Sequence, residues 1–241
     1  MALLDDLNSE ATRVLAQPWN IRDGQVVPET EQVLLAGGAV KLTPVMLYAD
    51  LADSTTLASK FDRGVATKVI KAFLAASCRI IRAHGGHIRS FDGDRVMGVF
   101  LGERPNTRAA NVALKINYAV INILRPKLEA QFPSLALGGY QLRHSVGIDR
   151  SEVLVARSGI HTHNDLIWVG RAPNIAAKLA ALREGHYCSY MTKAVFDAFA
   201  PNGPDGKISN NGEPMWEERS WTDAPFPEVR TVYRSSWWRK P

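Results

Sequence analysis

Two aspartates, Asp50 and Asp94, have the chemistry and the surroundings of a working pair. Asp50 closes the apolar run Val45-Met46-Leu47-Tyr48-Ala49. Asp94 belongs to Asp92-Gly93-Asp94, a tight-turn signal between the segments His87–Phe91 and Arg95–Leu101. If the first run is a strand paired with that hairpin, both carboxylates reach the same sheet edge. Two carboxylates at one edge suit hard divalent cations such as magnesium or manganese. A pair of such ions can activate an attacking oxygen and neutralise phosphates, as phosphoryl transfer requires. The residues that follow, Asp53-Ser54-Thr55-Thr56, are helix-start types. A helix start there adds free N–H groups suited to a polyphosphate. The same residues also have an ordinary reading. Asp92 and Asp94 are common turn residues, and Asp53 is a common helix cap.

The elements that must hold this pair can be read from pattern. Val45–Ala49 after Pro44 reads as a buried strand ending at Asp50. From Asp53, one long helix is expected to about His84, with Val65, Val69, Ile70, Phe73, Leu74, Ile80 and Ile81 at helical spacing. Gly85-Gly86 stops it before the hairpin. Pro105-Asn106-Thr107 opens a second long helix that ends before Pro133. Tyr140–Ile148 alternates as a strand, with Val153–Ala156 expected beside it as a hairpin. Leu166–Val169 reads as a strand, Asn174–Leu182 as a helix, Tyr187–Met191 as a strand and Lys193–Phe199 as a short helix. Ahead of all this, Leu4–Leu15 fits a short amphipathic helix. From Ala200 to Pro227 the residues Pro201, Gly203, Pro204, Gly206, Gly212, Pro214, Pro225 and Pro227 predict irregular structure. The order strand–helix–strand–strand–helix–strand predicts an α+β fold, one antiparallel-rich sheet with helices on one face.

Composition narrows the functional classes. The 241 residues are 46% hydrophobic and 22% charged, which predicts a packed core rather than disorder. Lys+Arg 29 against Asp+Glu 24 gives a net charge of +5. That suits an anionic ligand but lacks the dense basic stripe of a nucleic-acid binder. Two cysteines, Cys78 and Cys188, exclude a disulfide framework and a multi-cysteine zinc module. The start, Met1-Ala2-Leu3-Leu4-Asp5-Asp6, is acidic, and no apolar stretch approaches the roughly 20 residues that span a bilayer. A cytoplasmic protein with reduced thiols and no membrane contact is the expectation.

Four ordered segments carry a resemblance to a known family. Tyr48-Ala49-Asp50-Leu51-Ala52-Asp53-Ser54-Thr55 resembles the first metal-binding segment of class III nucleotide cyclases. His84-Gly85-Gly86-His87-Ile88, with Gly93-Asp94-Arg95-Val96-Met97-Gly98-Val99-Phe100, resembles the second. Ser145-Val146-Gly147-Ile148 resembles the central strand, and Gly170-Arg171-Ala172-Pro173-Asn174-Ile175-Ala176-Ala177-Lys178-Leu179 the transition-state segment. The match runs from about residue 43 to 200. It implies a ferredoxin-like cyclase domain at 43–200, a lead-in at 1–42 and a Pro/Gly-rich, aromatic extension at 201–241. It further implies that Asp50 and Asp94, with the backbone carbonyl of Leu51, bind two Mn2+ or Mg2+ ions per site. The ribose 3′-oxygen would attack the α-phosphate and pyrophosphate would leave. Asn174 would hold the ribose. Lys178 stands where the family usually has a transition-state arginine, keeping the charge without the planar fork. Ser54 and Thr55 would lie along the substrate. Family sites form between protomers, so a homodimer is implied, with Asp50 and Asp94 from one chain and Asn174 and Lys178 from the other.

The base pocket departs from the purine pattern. Adenylate cyclases of the family usually carry lysine four residues before the second metal aspartate, and guanylate cyclases glutamate; here it is Ser90. A second base-reading position, seven residues before the asparagine, is Ile167. Arg95 follows Asp94 where the family has a small residue, and Tyr48 replaces a common phenylalanine. This set resembles the bacterial pyrimidine cyclases of the Pycsar anti-phage system. The resemblance implies synthesis of cyclic UMP or cyclic CMP as a signal to a separate effector protein. Arg95 only donates hydrogen bonds. A donor at the 4-position prefers uracil, whose O4 accepts, over cytosine, which has an amino group there; a donor at O2 alone does not discriminate. Arg95 also fits a phosphate contact, Tyr48 a core aromatic, and Ser90 a space filler. A purine cyclase with an atypical pocket and an inactive nucleotide-binding module are the remaining readings. Of the other residues, His161 and His163 read as solvated loop histidines and Cys78 as a core residue. The Tyr233, Trp237 and Trp238 cluster reads as cover for a core edge or dimer seam.

Overall fold

The structure, a computed structural model, describes residues 2–200 and 206–241. The predicted irregularity at Pro201, Gly203 and Pro204 lies outside the described residues. Helix α1 (Leu3–Ala16) precedes strands β1 (Asn20–Asp23) and β2 (Gly38–Leu42). Then come β3 (Val45–Leu51), α2 (Ser54–Lys60), α3 (Arg63–Ala83), β4 (His87–Asp92) and β5 (Arg95–Phe100). Helix α4 (Pro105–Ala119) runs through a π-helical turn at Val120–Leu124 into α5 (Arg125–Gln131), α6 (Pro133–Leu137) and β6 (His144–Arg150). Strands β7 (Val153–Ile160) and β8 (His163–Gly170), helix α7 (Arg171–Ala180), β9 (Ser189–Thr192), α8 (Lys193–Asp197), β10 (Glu217–Ser220) and β11 (Thr231–Ser235) complete the order.

Among the described residues, seven strands form the main sheet in the order β10-β11-β9-β6-β3-β5-β4. Its middle, β6-β3-β5-β4, is the arrangement of a β-α-β-β-α-β ferredoxin-like unit. Strand β3 lies antiparallel to both β5 and β6. Its alternate residues Val45, Leu47, Ala49 and Leu51 join a core with Phe73 of α3 and Leu114 of α4. Met46 and Tyr48 face the other way, onto Val153, Val155, Ala172 and Ala176. A strand covered on both faces reads as an unbroken apolar run, which is why Val45–Ala49 was legible. Helices α3 and α4 therefore share one face, whereas α7, expected with them over a single sheet, lies on the other. That other face also carries a second sheet, β1-β2-β7-β8.

Several expectations change. The long helix from Asp53 to His84 is two helices. Asp62 breaks it, its carboxylate accepting from Val65 N–H at 3.1 Å to cap α3. Asp53 makes no side-chain cap; it sits in the left-handed region at φ 59°. Strand β6 begins at His144, not Tyr140, because the Tyr140 N–H is taken by the Leu135 carbonyl at the end of α6. Val153–Ala156 does not pair with β6, whose two edges are already occupied by β3 and β9. It pairs with β2 and β8 instead. The segment from Ala200 to Pro227 is not wholly irregular: it contains β10, which pairs with β11, and β11 extends the main sheet beside β9. Trp237 packs on the main core, and Trp238 lies edge-on to Tyr118 of α4 at 5.2 Å. Cys78 packs against the core, and both thiols are free. No helix among the described residues is long and apolar enough to cross a membrane.

Candidate active site

The hairpin geometry brings the two aspartates together. β4 and β5 are joined by the two-residue turn Gly93-Asp94, with Asp92 opposite Arg95. Gly93 has φ 61°, a conformation that glycine adopts without steric cost. Asp50 on β3 is itself opposite Arg95 on β5. Asp94, one residue before Arg95, thus reaches the edge where Asp50 stands. Burial pushes the Asp50 carboxyl above the ordinary carboxylate range. Arg183 opposes that push, and the Asp94 charge adds to it. Leu51 is buried behind this edge and pairs with His144 on β6.

Arg183 is a residue that the sequence reading missed. Its Nη2 donates to Asp50 Oδ2 at 2.8 Å. It lies in the loop after α7, 133 residues from Asp50, and no local pattern links the two. Arg143 was missed as well. It donates to Asp53 Oδ2 at 2.6 Å, so Asp53 is an ion-pair partner rather than a helix cap. Ser54 and Thr55 do stand at the start of α2, directly beyond the aspartate strand.

Tyr48, Ser90 and Arg95 converge next to the aspartates. The Arg95 guanidinium lies 5.6 Å from the centroid of the Tyr48 ring. Its Nη2 donates to Asp92 Oδ2 at 2.7 Å. Arg95 Nε is buried and has no acceptor among the described residues. The Tyr48 hydroxyl lies beside the Ser90 side chain, and burial raises its pKa. The cluster offers a fixed cation, a donor without a partner and two hydroxyls, the kit for a polar ring with carbonyl acceptors.

Asn174, Lys178 and Ile167 are not part of this cluster within one chain. Helix α7 lies so close on β6 that a Cβ on Gly147 would come 2.1 Å from the Ala176 carbonyl oxygen. Its inner face is Ala172, Ile175, Ala176 and Leu179, which leaves Asn174 and Lys178 exposed on the outer face. Asn174 Nδ2 donates to the Gly170 carbonyl at 2.8 Å. Among the described residues, no hydrogen bond or ion pair joins either side chain to Asp50, Asp94 or Arg95. The N-terminus of α7 is fixed by Arg171, which pairs with the fully buried Asp149 at 3.1 Å. Thr192 also donates to Asp149, at 2.6 Å. Ile167, 45% exposed on β8, lines a groove with α1 and Trp19. His161 and His163 are exposed at the β7–β8 turn.

A cation at the Asp50–Asp94 edge would meet only hard oxygen donors from these side chains. No cluster of three or more His, Cys, Asp or Glu residues forms among the described residues. The Asp50 and Asp94 carboxylates are hard oxygen donors, the donor type that divalent cations such as magnesium and manganese take.

No family model matches the chain. Curated relatives do. A uridylate cyclase of Rhodovulum sp. (strain MB263) is 43% identical over 241 residues, covering 100% of this chain and 99% of that protein. A uridylate cyclase of Xanthomonas perforans is 39% identical, with 99% of each chain covered. Among solved structures, the guanylyl cyclase Cya2 superposes with a TM-score of 0.65 at 17% identity, over 83% of this chain and 95% of that one. A bacterial light-regulated adenylyl cyclase gives 0.66 at 22% identity, over 86% of this chain and 54% of that one. The structural neighbours establish the fold alone, since they are named for different purine bases. Full-length identity of 43% goes further, and on that ground the chain belongs to the uridylate cyclase family, built on the class III nucleotide cyclase fold.

Proposed function

We propose that the protein converts UTP to 3′,5′-cyclic UMP and pyrophosphate, by attack of the ribose 3′-oxygen on the α-phosphorus. The observation that carries this reading is the cluster of Arg95, Tyr48 and Ser90 one residue from Asp94, in a chain 43% identical to a curated uridylate cyclase. Serine at position 90 removes the charged side chain that would read a purine. Arg95, held by Asp92 and the Tyr48 ring, presents donors suited to uracil O4 or O2. Cytidylate cyclase activity is the second reading, because O2 is common to both pyrimidines.

Asp50, Asp94 and the Leu51 carbonyl would hold two divalent ions, Mn2+ or Mg2+. Such ions would supply positive charge for the triphosphate and acidify the 3′-hydroxyl. Asn174 would orient the ribose, and Lys178 would balance charge that develops on the α-phosphate. Ser54 and Thr55 would offer polar contacts to the phosphates. Asn174 and Lys178 face outward on α7, with no bond to the aspartate edge of their own chain. That supports a homodimer in which each protomer completes the other's site, with Ile167 facing the base from the partner side. We read residues 43–200 as the cyclase domain, flanked by the 1–42 lead-in and the 201–241 extension. The resemblance to the Pycsar cyclases supports a role as source of a second messenger for a separate effector in anti-phage defence.

One experiment tests activity and site sharing together. Purified protein with UTP and manganese should give cyclic UMP, identified by mass spectrometry. Asp50→Ala and Asn174→Ala proteins should each give none, and their mixture, after subunit exchange, should recover about one quarter of the activity, from one intact site in half of the dimers. No product from the wild type would overturn the function. No recovery, with exchange demonstrated, would overturn the shared site.

A further inference from the structure

A cationic cleft stands at the far end of β5 from the aspartate edge. It is lined by His84 at the end of α3, Leu101 after β5, and Glu103, Arg104, Arg108 and Lys115 around the start of α4, with Thr107 and Asn111 completing the wall. Its volume is about 370 Å³. From Asp94 to Leu101 the strand carries the chain about 20 Å, at roughly 3.3 Å per residue. The cleft is thus separate from the proposed cyclase site.

Its charge is uncompensated. Three cations face one carboxylate, Glu103. Among the described residues, no carboxylate lies within ion-pair distance of Arg104, Arg108 or Lys115. Arg108 is fixed by carbonyls alone: its Nη2 donates to Leu101 O at 2.6 Å, and its Nη1 to His84 O and Gly85 O. Lys115 is fixed by His84. The His84 Nδ1 lies 2.9 Å from the Ile80 carbonyl and so carries the ring proton. Its Nε2 then accepts from Lys115 Nζ at 2.8 Å. Two cations are held in place by neutral acceptors, and their charge remains available to a ligand. Arg104 adds a third at a backbone cost. Its φ of 44° and ψ of 46° place it in the left-handed region, where glycine or asparagine is favoured.

We infer that this cleft is a second ligand site, which takes the phosphate of a small phosphomonoester. Arginine and lysine clamp a dianionic phosphate by charge-assisted hydrogen bonds. The volume is larger than a bare phosphate fills and falls in the range of small-molecule sites.

The probe is phenyl phosphate, in EDTA and at ionic strength held constant with chloride, so that the cyclase site has no metal. Wild-type protein should show a saturable rise in melting temperature, larger than inorganic phosphate gives. The double variant Arg104→Asn, Lys115→Gln should lose at least tenfold in apparent affinity. Asparagine suits the backbone at 104, and both positions are on or near the surface, so the fold should persist. Asp94→Ala should bind as the wild type does. The inference is overturned if no saturable rise occurs, or if the double variant binds equally well. An effect no larger than that of inorganic phosphate, or loss of binding in Asp94→Ala, would also overturn it.

Discussion

At the residue scale, the site rests on a few side chains whose surroundings decide their roles. Asp50 is held by Arg183, while Asp94 sits at a turn where it is open to a ligand. Asp94→Ala is expected to reduce turnover by about 10³-fold, because the ions it would hold supply the positive charge that stabilises the transition state. The stability of that variant should stay within about 0.5 kcal/mol of wild type, as for a residue that anchors no packing. Turnover assays with UTP and denaturant melts check both, and retained turnover would remove Asp94 from the site. That Asp50 and Asp94 come to one sheet edge was legible because each stands at a punctuated point, the end of an apolar run and a glycine turn. Arg183 was not, because its contact with Asp50 spans 133 residues and depends on how α7 docks. Asp53 was misread for a related reason. A carboxylate before a helix is a fair cap, but Arg143 competes for it from a distant segment.

At the element scale, α7 sets the reach of Asn174 and Lys178. Its close approach to β6 depends on Gly147, where an added methyl would strike the Ala176 carbonyl and the Ala180 N–H. Gly147→Ala should destabilise the protein by about 3 kcal/mol or more, the upper end of overpacking costs, because the atoms it meets are backbone. Because it displaces the helix that bears Asn174 and Lys178, turnover should fall tenfold or more even where the variant is fully folded. Unchanged turnover in the folded variant would show that α7 placement is not critical. Strand β3 was readable because burial on both faces leaves a continuous apolar run. The partner of β7 was not readable, since alternation marks a strand without saying which edge is free. Only the occupation of both β6 edges sends Val153–Ala156 to β2 and β8. Likewise the Pro/Gly content after residue 200 marked turns but hid β10, which lies among those breakers.

At the scale of the whole molecule, one buried group ties stability to pH. His144 begins β6 beneath the site, packed beside Phe73. Burial, with Arg125 and Arg183 nearby, pushes its pKa down to about 3. In the unfolded chain it titrates near pH 6.5. Unfolding therefore takes up a proton between those values. This contribution is fully present above about pH 6.5 and is lost as pH falls. Moving from pH 7 to pH 5 should cost about 2 kcal/mol through this group. Asp50 and Asp149 have raised values and act in the opposite direction, so the comparison must be with a variant. Denaturant midpoints at both pH values should show a smaller acid loss in His144→Leu than in wild type. An equal loss would place the sensitivity elsewhere.

On the proposed function, the pocket at Tyr48, Ser90 and Arg95 selects a pyrimidine, and uracil in particular. The most direct measurement is a competition: the protein with manganese and equal concentrations of UTP, CTP, ATP and GTP, with every cyclic product quantified by mass spectrometry. Cyclic UMP is expected as the dominant product, cyclic CMP next and purine products at trace level. A predominant purine product, or none from any triphosphate by a folded protein, would contradict it.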